Sequence, residues 1–193
     1  MGKLILGLAV FFGGHSISLL MLGWRDRMAG RLGVRAWQGA YSILALIGFY
    51  LLVTGYGAAR PAAALLYVPL PWLHYVAAVL MLPAFTLALS SVLSGRIRAR
   101  AGHPLLLATM LWAVAHLLTN GSTADVLLFG TFLAWAVAVR MSLARRRARR
   151  MIALPASMVN DVIAVAGGLV LYAVFILGLH ARWFGVPVLG VNL

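Results

Sequence analysis

The sequence predicts an all-α fold, an integral membrane bundle of six transmembrane helices with both termini on the outer side of the bilayer. Three observations predict it. Of 193 residues, 64% are hydrophobic and 10% are charged, with a mean hydropathy of +1.01, an apolar share above that of a soluble domain. Six apolar runs approach or reach the roughly 20 residues a helix needs to cross a hydrocarbon core of about 30 Å. The connections between these runs alternate between strongly basic and nearly bare.

The runs fall at about residues 4 to 24, 37 to 57, 73 to 95, 104 to 120, 124 to 143 and 162 to 182. Met1, Gly2 and Lys3 before the first run resemble the start of a secretory signal. Four arginines after the run outweigh that one lysine, and no small-residue cleavage site follows, so an uncleaved first helix is expected. Pro83 lies inside the third run and is expected to kink it. The fourth run, the shortest, opens at Pro104 and ends before Gly121, a start and a stop suited to a helix. Asn160 and Asp161 precede the sixth run as its expected N-cap. Trp24, Trp37, Tyr67, Trp72, Tyr75 and Trp183 lie at run ends and read as an aromatic belt. With no internal repeat and no long linker, residues 1–193 are expected to form a single transmembrane domain.

Orientation follows from where the cations sit. Arg25, Arg27, Arg31 and Arg35 follow the first run, Arg96, Arg98 and Arg100 the third, and Arg145, Arg146, Arg147, Arg149 and Arg150 the fifth. The opposite side holds Lys3, Arg60 and Arg182. The basic side is therefore the inner one. The excess of 16 Lys and Arg over 3 Asp and Glu is thereby explained by insertion, and no nucleic-acid partner is expected. The partner implied is the lipid bilayer. Cysteine is absent, which excludes thiolate ligands, a thiol nucleophile and disulfides.

The five histidines differ in depth. His15 lies nine residues before Trp24, roughly 14 Å from the inner boundary, and His116 lies twelve residues after Pro104, roughly 18 Å from it. Both are placed near the midplane. His103 falls at the inner surface, and His74 and His180 fall at the outer ends of their runs, where an imidazole is inexpensive. An ionisable group at the midplane points to function, and two at one depth point to a shared partner. Asp26, Asp125 and Asp161 all lie at helix ends and Glu is absent, so a relay through carboxylates is poorly supported. Two neutral imidazoles suit a metal, most naturally a haem gripped on both axial faces. The alternative is a structural pair that donates to carbonyls or hydroxyls of neighbouring helices. Thr109, Trp112, His116 and Asn120 recur every three or four residues as one inward-facing stripe. Gly13 and Gly14 beside His15 remove bulk, either for plain helix packing or for a flat macrocycle.

The stretches GHSISLLMLGWRDRMAGRLGVRAWQGAYS (14–42), GHPLLLATMLWAVAHLLTNG (102–121), LLFGTFLAWAV (127–137) and NDVIAVAGGLVLYAVF (160–175) resemble the NnrU family of bacterial membrane proteins. The resemblance implies a multi-pass protein of the bacterial inner membrane, with its outer side periplasmic. It also implies a link to nitrite and nitric oxide metabolism through genetic context. Relatives of that family include the cis-ζ-carotene isomerase, a membrane enzyme with haem b. Its His-Ser motif falls on His15 and Ser16, and its His-Pro and Ala-His motifs fall on His103, Pro104, Ala115 and His116, which implies His15 and His116 as axial ligands. Arg25, Arg96 and Arg98 with His103 are the expected partners of the propionates, or else His74 and His180. The substrate implied is a hydrophobic small molecule or nitric oxide, and the activity an isomerase-like or redox one. No counterpart of the isomerase's long N-terminal part is expected here. AVAVRMS (136–142) stands where a related family has an Asp, so carotene is not the expected substrate.

GHPLLLATMLWAVAHLL is also similar to the His-Pro opening of S-adenosylmethionine-dependent membrane methyltransferases, but SLARRRARR (142–150) stands where those enzymes carry paired Glu residues. A third alternative is a non-enzymatic membrane assembly or transport factor.

Overall fold

In the computed structural model the described residues are 1–145 and 157–188. Arg146, Arg147, Arg149 and Arg150 of the basic run lie outside them. Helices dominate: α1 (Gly2–Leu20), α2 (Leu22–Leu32), α3 (Val34–Ala59), α4 (Leu73–Ser90), α5 (Arg96–Ala101), α6 (Pro104–Thr119), α7 (Thr123–Arg145), α8 (Met158–Val174) and α9 (His180–Phe184). A 3-10 turn at Arg60–Ala62 extends α3, and a π turn at Phe175–Leu179 joins α8 to α9. Among the described residues, four helical stretches are long and apolar enough to cross a membrane: Val34–Ala62, Leu73–Ser90, Thr123–Arg145 and Met158–Phe184. Gly2–Ile17 and Pro104–Thr119 are shorter apolar helices. The protein is a helical membrane protein. On α3 alone Ile43, Leu46, Phe49 and Val53 stay exposed, apolar surface that only lipid or a partner can cover.

Every apolar run is helical, with corrected ends. The first helix stops at Leu20, because Met21 leaves helical geometry (φ −116°, ψ 52°), and residues expected in a loop form α2. The break at Gly33 (φ 83°), a backbone conformation only glycine adopts without strain, separates α2 from α3. The third run ends at Ser90, with α5 a separate short helix. The sixth helix starts at Met158 with Ser157 as N-cap, so Asn160 and Asp161 lie inside its first turn and do not cap it. Asp161 serves α5 instead, its carboxylate accepting from the backbone N–H groups of Arg96 (2.9 Å) and Ile97 (3.0 Å). Asn160 donates to the Ser94 carbonyl at 3.0 Å.

Contacts divide the chain into two compact units. The first holds residues 1–66 and 122–131. Its α1 and α3 run antiparallel in near backbone contact, and glycines make that approach possible. A Cβ on Gly7 would stand 2.6 Å from Leu52 N, one on Gly48 2.8 Å from Phe11 Cα, and one on Gly55 2.6 Å from Leu4 N. Gly14, proposed from the sequence as a site of close approach, faces only the Leu44 side chain, and Gly13 has nothing within 4 Å of where its Cβ would be.

The second unit holds residues 67–121 and the described residues from 132 onward. In it α4 packs against both α6 and α8. The antiparallel α4–α8 contact is close where a Cβ on Gly168 would stand 2.8 Å from Thr86 Cα. Pro83 lies inside α4.

Candidate functional site

In the first unit, His15 sits on α1, half-buried, five residues before the helix ends. Its Nδ1 is 2.7 Å from the Phe11 carbonyl one turn back. A carbonyl only accepts, so Nδ1 carries the hydrogen and Nε2 is the ring's basic nitrogen. The rings of Phe11 (4.2 Å between centroids) and Tyr41 (5.5 Å) pack on it.

In the second unit, His116 lies in the last turn of α6, a 16-residue helix of about 24 Å. The same local device fixes its ring: Nδ1 donates to the Trp112 carbonyl at 2.8 Å, again leaving Nε2 basic. Trp112 lies against His116 (5.1 Å) and against Phe132 (5.2 Å). Asn120 donates from Nδ2 to the His116 carbonyl at 2.9 Å, and Thr109 bonds back to Leu105 at 2.9 Å. Trp112, His116 and Asn120 thus form one ladder along α6. The hydroxyl of Tyr67, expected only as part of an aromatic belt, reaches the carbonyls of Leu117 and Asn120 (2.7 Å to the latter), acceptors that the end of a helix leaves without intrahelical donors.

His180 also belongs to this unit. Its ring centroid is 6.4 Å from that of His116, with the planes 40° apart. Its Nδ1 donates to the Val186 carbonyl at 2.8 Å. The sequence carries no signal of this proximity.

The remaining site candidates are placed as follows. His103 is the N-cap residue of α6, with no side-chain cap hydrogen bond. Arg96 and Arg98 lie on α5. Arg25 on α2 pairs with Asp26 at 2.7 Å. Asp125, which the sequence placed only at a helix end, is 3% exposed. Its carboxylate accepts from Tyr56 Oη at 2.5 Å and from the Ser122 N–H at 2.9 Å, with Arg60 Nε 3.9 Å away. The Ser122-x-x-Asp125 capping pattern was readable in the sequence, whereas the link to Tyr56 was not.

Among the described residues, no three His, Asp or Glu side chains gather to hold a metal ion. A neutral ring anchored through Nδ1–H with a basic Nε2 is the form in which histidine ligates iron, and the donor chemistry of His15 and His116 fits a haem.

No curated protein and no solved structure matches the chain. A family model described as NnrU protein matches residues 3–188, nearly its whole length. The chain belongs to the NnrU family.

Proposed function

We propose that this NnrU protein binds haem b in the bacterial inner membrane, that His15 and His116 would hold its iron, and that it has a redox or isomerase-like role linked to nitrite and nitric oxide metabolism. It crosses the bilayer six times with both termini periplasmic. The two shorter apolar helices complete the crossings, and the deficit of α6, about 6 Å against a 30 Å core, is met by local thinning.

One observation carries this reading. His15 and His116 both donate Nδ1–H to the carbonyl four residues back, at 2.7 and 2.8 Å, and so present Nε2 as a pre-oriented basic nitrogen. Haem bound there supplies one-electron chemistry and a Lewis-acidic iron for nitric oxide or for a double bond in a hydrophobic substrate.

The protein's own residues do the rest. Phe11 and Tyr41 pack on His15, and Trp112 packs on His116, covering part of each imidazole. Asn120 and Trp112 hold the His116 turn. Arg96 and Arg98, with His103, supply cationic and polar groups for the propionates, whereas Arg25 joins them only by leaving Asp26.

The test is the absorption spectrum of protein purified in detergent after expression with haem supplied, oxidised and reduced. A Soret band is expected, absent from His15→Ala and His116→Ala and retained in His74→Ala. A wild-type protein without Soret absorption overturns the proposal.

A further inference from the structure

We propose that His116 and His180 form a binding site for a divalent transition-metal ion, of the kind that takes imidazoles on opposite sides, Cu2+ or Ni2+. The site belongs to the haem-free protein, because the one basic nitrogen of His116 cannot ligate haem iron and this ion at once, and it does not involve His15.

Three features of the second unit converge on it. The first is separation. Two imidazoles that ligate one ion from opposite sides stand about 6 Å apart between centroids, from two metal–nitrogen bonds of about 2 Å and two ring radii of about 1 Å. The observed separation is 6.4 Å. A tetrahedral pair stands closer, so the spacing favours the tetragonal ions over Zn2+.

The second is the anchoring of each ring. His116 and His180 both donate Nδ1–H to a backbone carbonyl, of Trp112 at 2.8 Å and of Val186 at 2.8 Å. Each therefore presents a basic Nε2, and the carbonyl partner is the support that metal-bound histidines ordinarily have.

The third is how His180 comes to be there. The π turn at Phe175–Leu179 directly precedes it. One extra residue in a turn rotates every later side chain by about 100° relative to an unbroken α-helix, and such turns recur at functional sites. Five residues on, Gly185 (φ 71°, ψ 8°) ends α9 in the left-handed conformation, and the chain continues to the Val186 carbonyl that His180 uses. Two irregularities flank one histidine, one preceding its helix and one placing its acceptor.

The experiment uses untagged, chelator-treated, full-length protein in detergent, prepared without haem and titrated with Cu2+ alone. Electron paramagnetic resonance reads the ligands. One equivalent is expected to bind, with hyperfine lines from two nitrogens. His116→Gln and His180→Gln should each weaken binding at least about tenfold, the least that disturbing a ligand's support costs, while His15→Gln and His74→Gln leave it unchanged. Glutamine preserves a hydrogen bond to backbone, so a purely structural role would survive the exchange. Absence of a stoichiometric site, or binding insensitive to His180→Gln, overturns the proposal. A missing Soret band bears on the haem reading alone.

Discussion

Tyr56 and Asp125, 69 residues apart in sequence, are joined by a 2.5 Å hydrogen bond from the phenol to the carboxylate. Asp125 also closes a reciprocal cap with Ser122, whose Oγ accepts the Asp125 N–H at 3.3 Å. Its burial makes every one of these bonds matter, since a carboxylate out of water needs its partners. Asp125→Ala is expected to destabilise the protein by about 1–3 kcal/mol, through the unsatisfied donors it leaves behind. Tyr56→Phe should cost less, on the order of 1 kcal/mol, as polar contacts between membrane helices do. Thermal unfolding in detergent checks both. If the Asp125→Ala midpoint matches the wild type, the cluster has no stabilising role.

Gly55 and Gly57 lie two residues apart, on roughly opposite faces of α3, and should behave oppositely. A Cβ on Gly55 would press into the backbone of Lys3 and Leu4, whereas one on Gly57 meets nothing within 4 Å. Backbone cannot move aside as a flexible side chain can, so Gly55→Ala should force α1 away from α3. The expected cost is roughly 1–3 kcal/mol. Gly57→Ala should be neutral or slightly stabilising. Equal yields and unfolding temperatures for the two variants would contradict this packing.

Asp161 caps a helix other than its own, and its loss should be felt there. Asp161→Ala removes both acceptors from the first amides of α5, at a cost of about 0.5–2 kcal/mol for a lost cap. Amide exchange at Arg96 and Ile97 should accelerate while the middle of α8 stays protected. Unchanged exchange at those two amides would refute the assignment.

Tyr67→Phe should loosen the end of α6 that carries His116. The hydroxyl serves the Leu117 and Asn120 carbonyls, and a hydrogen bond of this kind contributes about 1 kcal/mol. Exchange of the Asn120 amide, bonded to the His116 carbonyl at 2.9 Å, is expected to quicken by about fivefold. No change would mean that the turn is held by its own ladder alone.

Much of the fold was legible because hydropathy reports where a helix can lie in lipid. Pro104 marked the start of α6, and the order of apolar runs matches the order of helices. The ends were less legible. The first helix was read through Trp24 because GHSISLLMLGW is continuous in hydropathy, and nothing in it announces the backbone turn at Met21. Asn160 and Asp161 looked like a cap because those residues favour caps; their partners at Ser94, Arg96 and Ile97 lie more than 60 residues away.

The candidate site shows the same division. The Trp112, His116 and Asn120 ladder was visible as an i, i+4 pattern, since its bonds are local to one helix. The neighbour of His116 across the unit, His180, was not, because it lies on another helix, just after a π turn that hydropathy does not reveal. The sequence by itself determined that the chain is helical and membrane-borne, properties that depend on composition and periodicity, and its likeness to known sequences placed it in the NnrU family. Only the tertiary structure decided which polar side chains meet, Tyr56 with Asp125, Asp161 with α5 and His180 with His116. Such meetings depend on helix packing and on one-residue changes of backbone register, which hydropathy does not encode.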